Sequence, residues 1–372
     1  MVYLGILIWN WFEAIIKKKS LLFPVLGLLY LAWLGGAADP LTTMDYANYE
    51  SNYNLMFSPT YNSRFEWAYL SLAKASYLAG LSYAQFRLIL VFLIFIVLFI
   101  VVKKFTYNMG FFVATFALFP FFNEITQIRS FAMYTLVLFA ASLLINVNKR
   151  NVIIAILIIL LSTGFHSSGY FYFIFLLIRI LVKKNINVGS VIIIISLLGS
   201  AFLILTGSTS IGLHIAKVVG YVTGNTASTE NILINFVGTS VRRAFVLEVI
   251  FLYGVVFVLS KKMIEYLSTK VIFDKNIIGK TEVLISLIYT GMLGLPLLAM
   301  SDQYQRFPRF GIEAAIILAA LYFEHRIKIS QRIGGMLSTL LIISFLSYVF
   351  YGLPNSTFAQ SIPFLAHWKF SN

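Results

Sequence analysis

Apolar runs of nearly twenty residues recur from one end of this 372-residue chain to the other, and the links between them alternate in charge. No other feature restricts the fold as severely. In hydrocarbon every backbone N–H and C=O must be satisfied within the chain, so such runs cross as helices. About twelve spans are expected: 1–16, 20–37, 84–102, 107–122, 128–147, 151–165, 168–182, 190–206, 244–260, 281–300, 310–325 and 334–352, the first short enough to lie in the interface instead. Composition agrees, with 60% hydrophobic and 11% charged residues where a soluble domain carries about a quarter charged. The expected fold is all-α, a polytopic helical membrane protein forming a single integral domain over 1–372.

Alternate links separate by charge. One set holds Lys17–Lys19, Lys103 and Lys104, Lys149 and Arg150, Lys183 and Lys184, the lysines from Lys261 to Lys280, and Arg326, Lys328 and Arg332. The positive-inside rule places these in the cytoplasm. The other set, 38–83, 123–127, 166–167, 207–243, 301–309 and 353–372, then faces outward, as do both termini. A net charge of +14 is thereby accounted for without nucleic acid. The first apolar run precedes its lysines, the reverse of a cleavable leader. With no cysteine there is no disulfide, thiolate nucleophile or thiolate metal site.

The cytoplasmic set is mostly lysine, whereas the outer set holds Arg64, Arg87, Arg129, Arg242, Arg243, Arg306 and Arg309. Topology does not ask for arginine on the side where positive charge is disfavoured. A guanidinium grips phosphate as a rigid fork and stays charged in dry surroundings, so an anionic ligand at the outer face is expected. Arg129 opens one apolar run and His166 follows the next, with a basic turn at 148–150 between them. Two antiparallel passages joined at one face bring these residues together at the other. His166 is flanked by the hydroxyls Ser167 and Ser168, and its alternative is a hydrogen-bonded structural histidine.

The outer loops carry the remaining candidates. In 38–83, the stretch 65–79 reads as a re-entrant or surface-lying helix. Upstream, Asp45 and Tyr49 would share a face if helical; the tyrosines suit either sugar rings or an interfacial belt. Arg242 and Arg243, closing 207–243, fit either interfacial anchors or a ligand. Pro308 suits a first helical turn and sets Arg309 at its positive end, where either an anion or an ion pair with Glu313 fits. Walker, HExxH and GxSxG motifs are absent, as are clustered metal ligands. The cytoplasmic links lack polar chemistry for a nucleotide sugar.

Asp45-Tyr46-x-x-Tyr49 with Phe65-Glu66-Trp67 and Gly80-Leu81-Ser82, Ile128-Arg129 before Ala132, Phe165-His166-Ser167-Ser168, and Tyr304-x-Arg306-x-x-Arg309-Phe310 together resemble the Wzy-type polysaccharide polymerases, in particular the EpsG-like branch from exopolysaccharide and capsule clusters. The chain departs from that pattern at Gly35-Gly36-Ala37-Ala38, where such proteins often carry an arginine. The resemblance implies a GT-C-like or Wzy-like membrane glycosyltransferase in the bacterial cytoplasmic membrane, its site facing outward and formed by the three long outer loops with 123–129 and 166–168. The implied reaction joins undecaprenyl-diphosphate-linked repeat units without metal or cofactor, with a flippase and a chain-length regulator as partners. Arg129, Arg242, Arg243, Arg306 and Arg309 would hold diphosphate, with Tyr49 and Glu66 also binding substrate. His166, ahead of Asp45, would take the proton from the attacking hydroxyl. A lipid-linked glycan ligase and a lipid-linked oligosaccharide flippase are the alternatives.

Overall fold

A computed structural model of the protein describes residues 2–16, 20–41, 43–58, 63–206, 214, 217–218, 220–221, 243–270, 274–326 and 328–351. Among these residues the chain is helical, without a strand. The elements used below are α1 (Val2–Ile16), α2 (Leu22–Gly36), α3 (Tyr46–Leu55), α4 (Trp67–Leu78), α5 (Tyr83–Phe105), α6 (Met109–Leu118), α7 (Phe121–Thr126) and α8 (Ile128–Leu143). They continue as α9 (Lys149–Thr163), α10 (Phe173–Lys183), α11 (Gly189–Thr206), α12 (Arg243–Lys270), α13 (Lys275–Leu293), α14 (Arg306–His325) and α15 (Ile329–Phe350).

α5 shows why these segments belong in lipid. Ser82 and Gln85 bond each other's backbone N–H groups in a capping box that starts the helix, and Lys103 and Lys104 close it. One stripe, Leu90, Val91, Ile94, Phe95 and Leu98, is buried. The opposite stripe, Ile89, Leu93, Ile96 and Ile100, is roughly half exposed yet just as apolar. A helix apolar on every side has no place at a water-facing surface. The exposed apolar line of α15, Ile329, Ile333, Leu337, Leu341 and Phe345, repeats the pattern.

The all-helical membrane class fits, but the described helices do not confirm a count of twelve crossings. Among the described residues, four stretches are long and apolar enough to cross by length and composition: Tyr83–Phe105, Arg243–Thr269, Lys275–Ala299 and Ile329–Phe350. Others, such as Val2–Ile16 and Leu22–Gly36, are apolar but only 15 residues long, or roughly 22 Å against a core of about 30 Å. Run 107–122 is broken because Phe119, preceding Pro120, is forced into an extended conformation (φ −160°, ψ 131°), which separates α6 from α7. Run 168–182 begins as a 3-10 turn, Ser167–Tyr172, and becomes α-helical only at Phe173. Run 281–300 starts earlier, at Lys275, because the Asp274 carboxylate caps α13, and ends in a short turn at Pro296–Ala299.

α14 runs through the middle of the molecule, packed by α13, α12, α6 and α5 and buried along nearly its whole length. Its closest neighbour is α13, where glycine is required on both sides. A Cβ on Gly291 would stand 2.9 Å from the Gly311 Cα, and one on Gly294 only 2.3 Å from Phe307. This small-residue crossing fixes the height at which α14 presents Arg306 and Arg309.

α8 and α9 pack as an antiparallel pair. Their turn is locked by Asn148, which caps α9, and by the Asn151 amide, which donates to the carbonyls of Leu143 (2.9 Å) and Asn146 (2.8 Å). The far ends of the pair, bearing Arg129 and His166, therefore return to one end of the bundle.

Arg87 is a packing residue. It is fully buried in α5, gives Nε to the Gly35 carbonyl (3.1 Å) and Nη2 to the Ile125 carbonyl (2.6 Å), and reaches the Tyr83 hydroxyl at 3.5 Å. It thus joins α2, α5 and α7. Gly35 and Gly36 allow that approach, since Cβ atoms there would meet Ile125 at 2.5 Å and Leu88 at 2.7 Å. The corner where the sequence departs from the polymerase pattern is closed by an arginine from another helix.

Candidate functional site

Three helix starts and one turn converge at the end of the bundle that carries Arg129. Glu66 precedes α4, whose first backbone N–H groups, those of Ala68 and Tyr69, both donate to the Gly164 carbonyl at 2.8 and 3.1 Å. Gly164 permits this, because a Cβ there would lie 2.6 Å from the Trp67 ring. α4 is thereby docked on the end of α9, beside His166. One Glu66 carboxylate oxygen pairs with Arg129 Nη1, and the other accepts the Ser167 N–H at 2.8 Å. A single carboxylate so joins the start of α8 to the His166 turn. The Arg129 guanidinium lies 3.9 Å from the Phe65 ring centroid and 5.6 Å from that of Tyr49. Its positive charge faces an aromatic wall, which favours it.

His166, extended in its backbone, immediately precedes the turn Ser167–Tyr172. Its Nε2 lies 2.6 Å from Arg306 Nη1 and its Nδ1 2.8 Å from Ser168 Oγ. Burial, then the charges of Arg306 and Arg129, hold its pKa well below the ordinary histidine value, so the ring is neutral at pH 7. Arg306, in the first turn of α14, also donates Nε to the Gln303 carbonyl (2.8 Å), Nη2 to the Gln303 side chain (3.3 Å) and Nη1 weakly to Ser130 (3.4 Å). Every one of these partners is neutral. Arg306 is 8% exposed and, among the described residues, makes no ion pair.

Arg309 lies one turn further into α14. Its Nε meets Glu124 Oε1 at 2.7 Å and its Nη2 meets the Gln127 side chain at 3.0 Å, with both ionic side chains fully buried. Of the two partners the sequence left open, an anion or Glu313, the intrahelical pair is not formed: Arg309 reaches across to α7, and among the described residues neither Glu313 oxygen has a hydrogen-bond partner. Nη1 of Arg309 is likewise without one.

The structure therefore gathers Glu66, Arg129, His166, Arg306 and Arg309, with Tyr49 behind Arg129. Asp45 is elsewhere in kind: it is exposed, in the left-handed conformation (φ 63°), and accepts from Asn48 Nδ2 at 3.3 Å. Because Asp45 precedes α3 instead of lying within it, it does not share the buried face of Tyr49. Arg243 is exposed at the first residue of α12, and no hydrogen bond or ion pair joins it to the cluster. Arg242, with most of 207–243, lies outside the described residues.

Sequence reasoning placed 123–129 and 301–309 in the site without singling out Glu124, Gln127 or Gln303, and it left out Ser130. Glu124 had a usable signal, being one of only 14 acidic residues and set against Phe121 and Phe122 in an apolar context. Gln303 had none.

Glu66 pairs with Arg129 and Glu124 with Arg309, leaving Arg306, among the described residues, as a largely buried positive charge without a counter-ion. Such an arrangement has the chemistry to bind an anion and to stabilise negative charge on a leaving group. Compared with known proteins, the chain matches one family model, described as the EpsG family, over residues 20–365. No curated protein and no solved structure matches it.

Proposed function

The chain belongs to the EpsG family, a membrane protein of polysaccharide biosynthesis, and from that premise we propose that it polymerises undecaprenyl-diphosphate-linked oligosaccharide repeat units at the outer face of the bacterial cytoplasmic membrane. One observation carries the reading: Arg306, nearly buried between Arg129 and Arg309, has only neutral partners. A guanidinium withdrawn from water in this way calls for an anion. The diphosphate of a lipid carrier arrives from the membrane and leaves with a full developing charge.

In this reading Arg306 takes the diphosphate directly. Arg309, held by Glu124 and Gln127, lies beneath it with Nη1 available. Arg129 adds positive potential while Glu66 sets its direction, and the buried rings of Tyr49 and Phe65 back its guanidinium, so that Tyr49 serves substrate binding through Arg129. His166 is the base for the attacking hydroxyl. Asp45, exposed and bonded to Asn48, serves at most the incoming glycan. Arg242 and Arg243 would reach the lipid phosphate from the outer loop 207–243. The flippase and chain-length regulator are partners that hand over the repeat unit and end the polymer.

The test is turnover of a purified lipid-linked repeat unit by the protein reconstituted in bilayers. Wild type should build polymer, and Arg306→Ala should leave single repeat units lipid-linked. Transfer of the glycan to a different acceptor identifies a ligase. Movement of the repeat unit between leaflets with no new glycosidic bond identifies a flippase and overturns the proposal.

A further inference from the structure

The contact between Arg306 and His166 orders the reaction. A guanidinium has donors only, so its approach to Nε2 at 2.6 Å requires a lone pair on that nitrogen. A neutral imidazole then carries its proton on Nδ1, which donates to Ser168 Oγ at 2.8 Å. The Ser168 backbone N–H also lies 3.1 Å from Nδ1. Both ring nitrogens cannot accept, and the shorter, charge-assisted contact decides in favour of the bare Nε2. The ring is thus in the tautomer a base needs, with its one basic lone pair covered by Arg306.

We infer that Arg306 caps His166 until a diphosphate takes the guanidinium, so that donor binding is what exposes the base. This rests on the polymerase reading above and adds an order of events to it. The neutral contacts of Arg306 with Gln303, Ser130 and His166 are weaker than a charge-assisted bond to a diphosphate oxygen, so the ligand wins the exchange. The acceptor sugar's O–H then gives its proton to Nε2 while its oxygen bonds the donor's anomeric carbon. The bond from that carbon to the diphosphate breaks, and its electron pair leaves on the diphosphate. Without donor, no acceptor is deprotonated. Ser168 is a positioning residue, holding the Nδ1 proton so that Nε2 stays bare.

The charged groups facing the imidazole are Arg306 from α14 and Arg129 from α8, with Glu66 from before α4 bonded to the adjoining Ser167 N–H. Diphosphate on Arg306 cancels the nearest positive charge, so the His166 pKa should rise toward the ordinary value.

Nitrogen NMR of histidine-labelled protein in nanodiscs tests this directly, since the chain has four histidines and His166→Gln assigns the signal. The free protein should show the Nδ1–H tautomer with no titration near neutral pH. Undecaprenyl diphosphate should move the His166 titration upward, and Arg306→Gln should do the same without ligand. In turnover assays Ser168→Ala should lower kcat roughly tenfold with KM unchanged, as loss of one hydrogen bond does, and Ser168→Thr should restore it. An Nε2–H tautomer in the free protein overturns the inference, as does normal kcat in Ser168→Ala. Undecaprenyl diphosphate that binds without altering His166 overturns the inference and leaves the polymerase reading standing; failure to bind overturns both.

Discussion

Arg87 and Arg306 are both arginines near the N-terminal ends of helices, 0% and 8% exposed, and they do opposite work. Arg87 is bonded to the carbonyls of Gly35 and Ile125 from two other elements, and its ring neighbour is Tyr46 at 5.4 Å. Its charge is spent holding α2, α5 and α7 in place. Arg179 behaves likewise at the other end of the bundle, bonded to the Leu144 carbonyl at 3.1 Å and paired with Glu282 at 3.0 Å. Arg306 sits beside two other guanidiniums and a neutral imidazole. Burial does not separate a structural arginine from a ligand-binding one. Nor does the lack of a counter-ion among the described residues, since Arg87 also bonds only neutral groups; what differs is the setting, backbone carbonyls of α2 and α7 in one case, two neighbouring guanidiniums and the side chains of Ser130, His166 and Gln303 in the other.

Substitutions should separate the two roles. The largest effect on activity is expected from Arg306→Ala, which should reduce polymer formation by roughly a thousandfold, the range for removing an electrostatic stabiliser, while the melting temperature in detergent changes little. Arg87→Ala should invert that result. Losing the donors to two buried carbonyls costs about 2–4 kcal/mol, so thermal stability should fall and the activity of the remaining folded fraction should persist. If Arg306→Ala proves the more destabilising of the two, the distinction fails.

A smaller effect sharpens the comparison. Gly164→Ala should push α4 away from α9, because the new Cβ meets the Trp67 ring at 2.6 Å; overpacking of this kind costs about 1–3 kcal/mol. The Glu66 bond to Ser167 should loosen with it, raising KM more than it lowers stability. Deuterium exchange at Ala68 and Tyr69 reports the displacement.

The smallest effect concerns pH. Because the His166 pKa is depressed in the fold, the free enzyme's base stays unprotonated below the ordinary histidine value of about 6.5. The acid limb of kcat/KM should therefore lie below that value. The stability His166 contributes is present above pH 6.5 or so and is lost as pH falls from there toward the folded pKa. A pH profile of turnover alongside melting curves checks both, and an acid limb at or above the ordinary value contradicts the assignment.

Much of this architecture could be read from the chain. The all-helical class follows from the apolar runs, and the return of Arg129 and His166 to one end follows from two passages of similar length around a basic turn. The short helix in the first outer loop is found at 67–78, within the expected 65–79. What sequence did not show are partnerships between distant segments. Spacing offers Glu313, four residues on, as one partner for Arg309, yet its carboxylate is Glu124, 185 positions away. Arg87 looked like a ligand group because nothing local marks a buried carbonyl at Gly35 as its partner. Periodicity places residues on a helix face, but it cannot say which face meets which. Pro120 and the left-handed Asp45 broke regular spacing for local reasons of backbone geometry.

The central claim is that the charge left without a counter-ion at Arg306 is the seat of the diphosphate. Binding of undecaprenyl diphosphate to nanodisc-embedded protein, compared between wild type, Arg306→Ala and Arg87→Ala, tests it most directly. The account predicts at least about a hundredfold weaker binding for Arg306→Ala, as for losing a charged hydrogen-bonding pair, and near-normal binding for the folded Arg87→Ala protein. Equal affinity of wild type and Arg306→Ala would contradict it.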